Sequence, residues 1–211
     1  MKKFLFGLLL AAAGAQAATP AATPAATPVA AIQAMLAKPE QLCGRFDQTK
    51  HLAGMSKPLA ASGRFCVVSG KGVLWRTLKP FPNTLRLSRD EIVQLQGERV
   101  AMRLEASREP TVRMINGVLF SLLSGDLSQL DSLFEVDAKT SAKAGVNSWC
   151  VALKARSPAL ARAIGVISLD GDAYVRDIHM VEQGGDRTDI VFSDIKTGAD
   201  AVLPEEAALL R

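Results

Sequence analysis

Histidine and the common catalytic motifs are almost absent from this chain of 211 residues. Only two histidines occur, His51 and His179, and neither has a neighbour at the spacing that metal ligands or a general base require. The sequence contains no G-x-S-x-G motif, and Gly72 follows Gly70-Lys71 where a phosphate-binding loop needs serine or threonine. We therefore expect no enzymatic activity, no metal and no organic cofactor.

An excess of charge of either sign is also missing. The chain carries 25 lysines and arginines against 21 aspartates and glutamates, which gives a net charge of +4. The basic residues are scattered singly among the acidic ones, so they form no patch that would attract a phosphate backbone. We expect no nucleic-acid partner.

Long apolar runs are missing except at the N-terminus. The basic start MKK precedes the apolar run FLFGLLLAAAGA, and residues 15–17, AQA, have the pattern of a signal-peptidase site. The run is roughly half of the ~20 residues that a membrane-spanning helix needs. The sequence thus predicts a cleaved signal peptide at residues 1–17. Because the first cysteine, Cys43, does not follow this site, we expect a soluble periplasmic protein without a lipid anchor.

A repetitive segment separates the predicted signal peptide from the rest of the chain. Residues 18–30, ATPAATPAATPVA, repeat small residues and proline and have nothing to bury, which predicts an extended or disordered linker. Residues 31–211 are long enough for one domain with a good core. Helical spacing over residues 30–42, interrupted by Pro39, predicts a short helix at its start.

The remaining sequence predicts antiparallel strands with a helical insertion. Apolar and polar residues alternate between turns rich in glycine, proline and serine, as is typical of half-buried strands. Residues 110–123 carry a helical apolar stripe, residues 126–130 add a turn, and residues 204–210 predict a closing helix. The predicted strands are Phe46–His51, Ser62–Val68, Val73–Leu78, Thr84–Ser88, Glu91–Gln96, Arg99–Leu104, Phe134–Asp137, Ser148–Lys154, Val166–Asp170, Tyr174–Glu182 and Thr188–Ile195.

These elements predict an α+β fold built on about ten or eleven antiparallel strands. A sheet of this size tends to curl. Its concave apolar face has to be shielded from water, so we expect the two amphipathic helices at residues 30–42 and 110–123 to lie across that face.

Charge decides the register of the hairpin between the second and third predicted strands. A two-residue loop would place Phe65 opposite Arg76 and force the guanidinium onto the apolar face, which is costly. A three-residue loop at residues 69–71 places Phe65 opposite Trp75 instead. We predict this second register, which puts Arg64 and Arg76 on the other face.

The order of motifs along the chain resembles the LolA family, the periplasmic carriers of outer-membrane lipoproteins. An F-x-Q-x-K run starts at Phe46, a G-x-F strand follows at Gly63, and a G-x-L-W strand at Gly72 ends in P-F-P. Residues 181–188, VEQGGDRT, resemble the family's hairpin between its last two long strands. The resemblance covers about residues 40–205 and implies an incomplete barrel whose concave apolar face is closed by a helical lid.

The resemblance also implies that apolar residues of the concave face contact a ligand. By spacing alone they would be ordinary core, but in carriers of this kind the concave face lines a cavity for acyl chains. Methionine suits such a site because its side chain is adaptable. The candidate cavity and lid residues are Phe46, Phe65, Val67, Trp75, Leu85, Leu87, Val100, Met102, Met114, Ile115, Leu119, Leu122, Phe134, Val136, Trp149, Val151, Ile190 and Phe192.

The function that the resemblance implies is transport through the periplasm. A carrier of this family would bind the acyl or polyene chains of a lipoprotein or lipid and move them towards the outer membrane. Its implied partners are that cargo, an inner-membrane donor transporter, an outer-membrane acceptor and, transiently, a membrane surface; we expect a monomer. The alternative is an envelope assembly or interaction module with the same sheet, a filled core and no ligand.

One departure from the family pattern concerns gating. In the family an Arg-Pro pair follows the second strand, and its arginine holds the lid closed until ligand arrives, whereas this chain has Ser69-Gly70 there. The resemblance is closer to a divergent branch that accompanies the machinery for aryl-polyene pigments and other outer-membrane lipids, which implies a lipid cargo.

Three cysteines in an oxidising compartment allow three single pairings. Cys66 and Cys150 are predicted on the convex side of strands that are far apart in the sequence. Cys43 precedes the first predicted strand and can bend towards the strand of Cys66, so Cys43–Cys66 is the expected pair if a disulfide forms. The alternative is three small buried thiols that never react.

Overall fold

The computed structural model describes residues 28–97, 99–105, 107–108, 130–143 and 146–210. These residues contain eleven strands. The strands are β1 Gln41–His51, β2 Leu59–Val68, β3 Gly72–Lys79, β4 Asn83–Leu87, β5 Glu91–Gln96, β6 Arg99–Glu105, β7 Phe134–Lys143, β8 Val146–Ala155, β9 Val166–Gly171, β10 Val175–Val181 and β11 Arg187–Thr197.

All eleven strands belong to one antiparallel sheet in the order β6-β5-β4-β3-β2-β1-β11-β10-β9-β8-β7. The sheet is not closed into a barrel, since β6 and β7 are its edges. Hairpins join most neighbours along the chain, while the first and last strands meet in the middle, where β1 pairs with β11. The predicted class, an open antiparallel sheet with a few helices, is therefore confirmed.

The helices of the described part of the chain are short. The α-helices are α1 Pro28–Met35, α2 Leu130–Leu133, α3 Pro158–Ile164 and α4 Pro204–Leu209, and a 3₁₀ turn spans Ala199–Ala201. Helix α3 begins at a clear signal, because the Ser157 side chain accepts a hydrogen bond from the Leu160 N–H and proline occupies the first turn. None of these helices has the length and apolar character needed to cross a membrane.

Several predicted boundaries were wrong for identifiable reasons. The predicted helix over residues 30–42 ends at Met35, and β1 begins at Gln41, because cross-strand pairing with both β2 and β11 recruits these residues into the sheet. Strand β7 continues to Lys143, six residues beyond its predicted end. Helix α3 was not predicted at all. The predicted signal peptide, most of the linker and the predicted helix over residues 110–123 lie outside the described residues.

The β2–β3 register is confirmed, with Phe65 opposite Trp75 and Arg64 opposite Arg76. We call the face that carries Phe65 the inner face and the face that carries Arg64 the outer face. The main apolar core lies on the inner face and includes residues of α1, α2 and α3. A smaller core lies on the outer face, where the 3₁₀ turn and α4 pack against β1, β2 and β3.

Candidate functional site

An aromatic cluster occupies the centre of the inner face. Phe46 stacks on Trp75 with their ring centroids 3.9 Å apart. Phe192 lies edge-on to Trp75 at 6.0 Å and tilted against Phe65 at 4.8 Å. Stacked and edge-to-face contacts are the arrangements that aromatic rings favour. Because these four side chains come from β1, β2, β3 and β11, the cluster spans the β1–β11 pair at the middle of the sheet.

Glycines on neighbouring strands make room for these rings. Phe46 pairs with Gly63, and Phe65 pairs with Gly44. A Cβ atom at Gly63 would lie 2.9 Å from the Phe46 ring, and a Cβ atom at Gly44 would lie 2.8 Å from the Phe65 ring. Any side chain at either position would displace the ring above it. A glycine inside a strand signals such a close approach, so Gly44 and Gly63 were recognisable signals for the two ring positions.

The inner face of β7–β10, which we call the filled half, is occupied by core packing. Trp149 lies over Gly171 on the adjacent strand, and its Nε1 donates a hydrogen bond of 2.6 Å to the carbonyl oxygen of Asp172. Buried residues of α1, α2 and α3 also pack into this core. Its buried side chains on the strands are Phe134, Trp149, Val151, Leu153, Ile167, Leu169, Val175 and Ile178.

The inner face of β3–β6, which we call the open half, leaves apolar side chains partly exposed. Trp75, Leu85 and Ile92 are half-buried. Further towards the edge strand, Met102 is 37% exposed. Successive cross-strand pairs place Trp75, Leu85, Ile92 and Met102 on the same face. The polar residue Gln94 lies between Leu85 and Met102 in this row. A partly exposed, mainly apolar surface of this kind marks a binding site more often than a stray surface residue does.

The predicted site residues on the strands share the inner face, except Val100, whose partner Leu95 pairs with Thr84 on the outer face. The inner-face candidates do not share one environment. Phe134, Trp149 and Val151 are 0–2% exposed and belong to the core of the filled half. Trp75 and Leu85 lie in the open half. The other described candidates are Phe46, Phe65, Val67, Leu87, Ile190 and Phe192, which are buried in or beside the aromatic cluster, half-buried Val136, and exposed Val100 and Met102.

Some candidates lie outside the described residues, and the inner face carries apolar residues that were not among the candidates. Met114, Ile115, Leu119 and Leu122 lie outside the described residues. Ile92 was not among the predicted contacts, although the alternation within β5 puts it opposite Leu104 on the inner face. That any of these side chains contacts a ligand stays a prediction.

The buried carboxylate of Glu206 holds α4 against the outer face of β2 and β3. Glu206 is 0% exposed and accepts hydrogen bonds of 3.0 Å from Arg64 Nε and 3.4 Å from Arg76 Nη1. Its other oxygen accepts a bond of 3.0 Å from the Leu203 N–H. Burial by itself would raise the pKa of Glu206, but the Arg64 and Leu203 hydrogen bonds and the two arginine charges together lower that pKa below its ordinary value.

A disulfide between Cys43 and Cys66 lies on the same outer face. The two cysteines are direct cross-strand partners on β1 and β2 with Cα atoms 4.1 Å apart, and they are the pair that the sequence favoured. Cys66 Sγ lies 3.2 Å from Glu206 Oε2. Because the sulfurs are bonded to each other, this group offers no thiolate to a metal ion, although its three atoms are close enough to bind one.

Two further side chains that could react, those of Cys150 and His179, lie at the surface of the filled half. Cys150 is exposed and unpaired, and partial burial followed by the nearby Asp170 carboxylate raises the pKa of its thiol. A raised pKa is the opposite of what a nucleophilic cysteine needs. His179 is also exposed, and its Nδ1 lies 2.7 Å from the Asp189 carboxylate. The surroundings of Cys150 and His179 are therefore those of ordinary surface residues.

Known structures that are similar to this chain share little sequence with it. A LolA superfamily protein, NE2245 from Nitrosomonas europaea, is similar with a TM-score of 0.44 and 7% identity over 87% of this chain and 96% of that one. MucB gives a TM-score of 0.45 with 15% identity over 87% of this chain, which spans 61% of MucB. A domain from Vibrio parahaemolyticus described as an outer membrane lipoprotein-sorting protein gives 0.43 with 9% identity, over 87% of this chain and 97% of that one.

No curated protein matches the chain at a significant level. The family model described as "Outer membrane lipoprotein carrier protein LolA" matches residues 37–202, most of the chain and nearly all of the described sheet. The order of motifs from the first hairpins to the β10–β11 hairpin predicted the same family. The chain therefore belongs to the outer membrane lipoprotein carrier protein LolA family.

Proposed function

We propose that this protein is a periplasmic carrier that holds the acyl or polyene chains of a lipoprotein or lipid against the open half of its inner face. Membership of the LolA family supports this proposal. The predicted signal peptide supports the location. The observation that carries the proposal is the run of partly exposed apolar side chains from Trp75 to Met102, which begins at the buried aromatic cluster.

Acyl chains fit this surface for a physical reason. A hydrocarbon chain has no hydrogen-bonding groups, so its binding depends on the apolar area that it and the protein remove from water. Trp75, Leu85 and Ile92 offer that area, and Met102 can adapt to chains of different shape. Such a surface discriminates poorly among chain chemistries. Cargo selection would therefore depend on the headgroup or protein part, which stays in water, and on the donor and acceptor with which the carrier exchanges its cargo.

The direct test is the identity of what the protein carries. Native mass spectrometry of protein purified from its own periplasm is expected to show a bound lipid or lipidated polypeptide. The same protein, after delipidation, is expected to quench an acyl-chain fluorophore with saturable binding. Protein that leaves the periplasm empty and fails to bind the fluorophore would contradict the proposal.

A second candidate is an envelope assembly or interaction module that has no ligand. The filled half favours it, since Phe134, Trp149 and Val151 are 0–2% exposed within its core. The two candidates differ in the fluorophore experiment, because a module without a ligand site would show no saturable binding to the open half.

A further inference from the structure

Two neighbouring hairpins end in exposed apolar side chains. The first tip, residues 52–59, connects β1 to β2 and carries Met55 and Leu59, which are 55% and 52% exposed. The second tip, residues 78–82, ends β3 and carries Phe81, which is 79% exposed. We refer to these two segments as the hairpin tips.

The pairing of β2 with β3 brings the hairpin tips side by side. Ser62 pairs with Lys79, so the residues before Ser62 and those after Lys79 lie at the same end of the sheet. Every residue from 53 to 60 and from 78 to 82 is exposed. A Cβ atom built at Gly54 would meet nothing within 4 Å, as expected for a projecting loop. The exposed apolar side chains therefore lie together at this end of the sheet.

The hairpin tips are also basic. Their sequences, LAGMSKPL and LKPFP, contain Lys57 and Lys79 and no acidic residue. The acidic residues of the adjacent β10–β11 turn are already paired, since Lys50 Nζ lies 2.9 Å from Glu182 and 3.8 Å from Asp186. The Asp186 carboxylate also accepts a hydrogen bond of 2.8 Å from the Ala53 N–H, which ties the base of the first tip to that turn.

We propose that the hairpin tips insert Met55, Leu59, Leu78 and Phe81 into the interfacial layer of a membrane that contains anionic lipids. Apolar side chains flanked by lysine match this layer, because the apolar groups enter the boundary of the acyl chains while the ammonium groups remain among the headgroups. This inference rests on the proposed carrier function, since β3 runs from the second tip to Trp75 and gives an acyl chain a short path from the membrane to the open half.

A lipid surface fits the hairpin tips better than a protein partner does. Protein interfaces concentrate their binding energy in packed pockets around a few anchors, and they need complementary shape. A bilayer needs no such complementarity and accepts separate side chains that project from two loops. A protein partner is the alternative outcome of the test.

The test measures co-sedimentation of delipidated protein with vesicles of phosphatidylcholine containing about one third phosphatidylglycerol, compared with vesicles of phosphatidylcholine alone. The double variant Met55→Asp/Phe81→Asp should bind anionic vesicles at least about tenfold more weakly than wild type, given the apolar area of the two side chains. The matched control is Val166→Asp, because Val166 is 47% exposed, lies at the same end of the sheet five strands from β3, and pairs with Lys154. The control should bind like wild type.

The lysines provide an independent measurement. Lys57→Gln/Lys79→Gln should weaken binding to anionic vesicles about tenfold or more and leave binding to neutral vesicles unchanged, since each basic residue near an anionic surface adds a favourable electrostatic contribution. Wild-type binding should also fall as the salt concentration rises.

Two results would overturn the inference. One is wild-type affinity in the Met55→Asp/Phe81→Asp variant, and the other is no vesicle binding by the wild type, which would assign the hairpin tips to a protein partner. The acyl-fluorophore measurement separates this inference from the proposed function. Loss of vesicle binding with intact fluorophore binding contradicts only the membrane contact, and vesicle binding without fluorophore binding contradicts only the carrier.

Discussion

The two halves of the sheet are stabilised from opposite faces. In the filled half the helices and core residues cover the inner face, while Val166 and Val181 on the outer face are 47% and 46% exposed. At β3, where the open half begins, the arrangement is reversed: α4 and the 3₁₀ turn cover the outer face of β1, β2 and β3, where Cys66 and Leu74 are 1% exposed. A sheet needs one covered face to be stable, and covering the outer face allows inner-face side chains of the open half to stay partly exposed.

The chain has two tryptophans, one in each half, and they should respond differently to truncation. Trp149→Ala, which removes a side chain that is 2% exposed in the filled half, should cost about 3–5 kcal/mol in the free energy of unfolding. Trp75→Ala removes a half-buried side chain and should cost less than about half as much. Urea unfolding monitored by circular dichroism measures both values. Equal losses would show that the two halves are packed alike, which would contradict the difference between the filled half and the open half.

The support of the open half from behind depends on Glu206. Glu206→Ala leaves Arg64 and Arg76 without their shared buried carboxylate, and it should lower the free energy of unfolding by about 2–3 kcal/mol, since hydrogen bonds to charged groups are worth about 1.5–3 kcal/mol. The matched control is Glu205→Ala on the same helix. The Glu205 side chain is 59% exposed and lies 3.7 Å from Arg76 Nη1, so its loss should change stability by less than about 0.5 kcal/mol. A loss below about 0.5 kcal/mol in Glu206→Ala as well would mean that α4 contributes little to the open half.

Trp75→Asp should separate ligand binding from folding. A charge in the apolar strip opposes acyl chains, and we expect affinity for the acyl-chain fluorophore to fall about 100-fold while the protein remains folded. The control Val166→Asp introduces the same charge on the outer face of the filled half, where fluorophore affinity should not change. Unaltered affinity in the Trp75 variant would place the ligand elsewhere.

Acid should remove the contribution of Glu206 to stability. Because the pKa of Glu206 is lowered in the folded protein, its ionised form stabilises the fold at pH values above the ordinary 4.5, and this contribution is lost as the pH falls from 4.5 through the lowered pKa. The difference in unfolding free energy between wild type and Glu206→Gln should be constant between pH 5 and 7. It should shrink below that range, because the Glu206 carboxylate becomes protonated. A difference that persists unchanged to pH 3 would contradict the role of the Glu206 charge.

Alternation in the sequence was sufficient to identify the strands and the register of one hairpin. The clash of Arg76 with an apolar face decided the β2–β3 hairpin, and the same alternation placed Cys66 on the outer side. Boundaries were less predictable, as at Gln41, because a residue next to a proline-interrupted helix joins β1 only when two partner strands are present. Helix α3 was missed although Ser157-Pro158 is a recognisable start signal.

The sequence by itself determined which side chains share a face, because a strand has a period of two residues and buried charge is costly. It did not determine what covers each face. The covering contacts join residues far apart in the chain, such as Arg64 and Glu206, which are 142 positions apart. Only the tertiary structure therefore decided that Trp149 is core while Trp75 borders an open apolar surface, because the two tryptophans have the same local pattern and differ only in what packs above them.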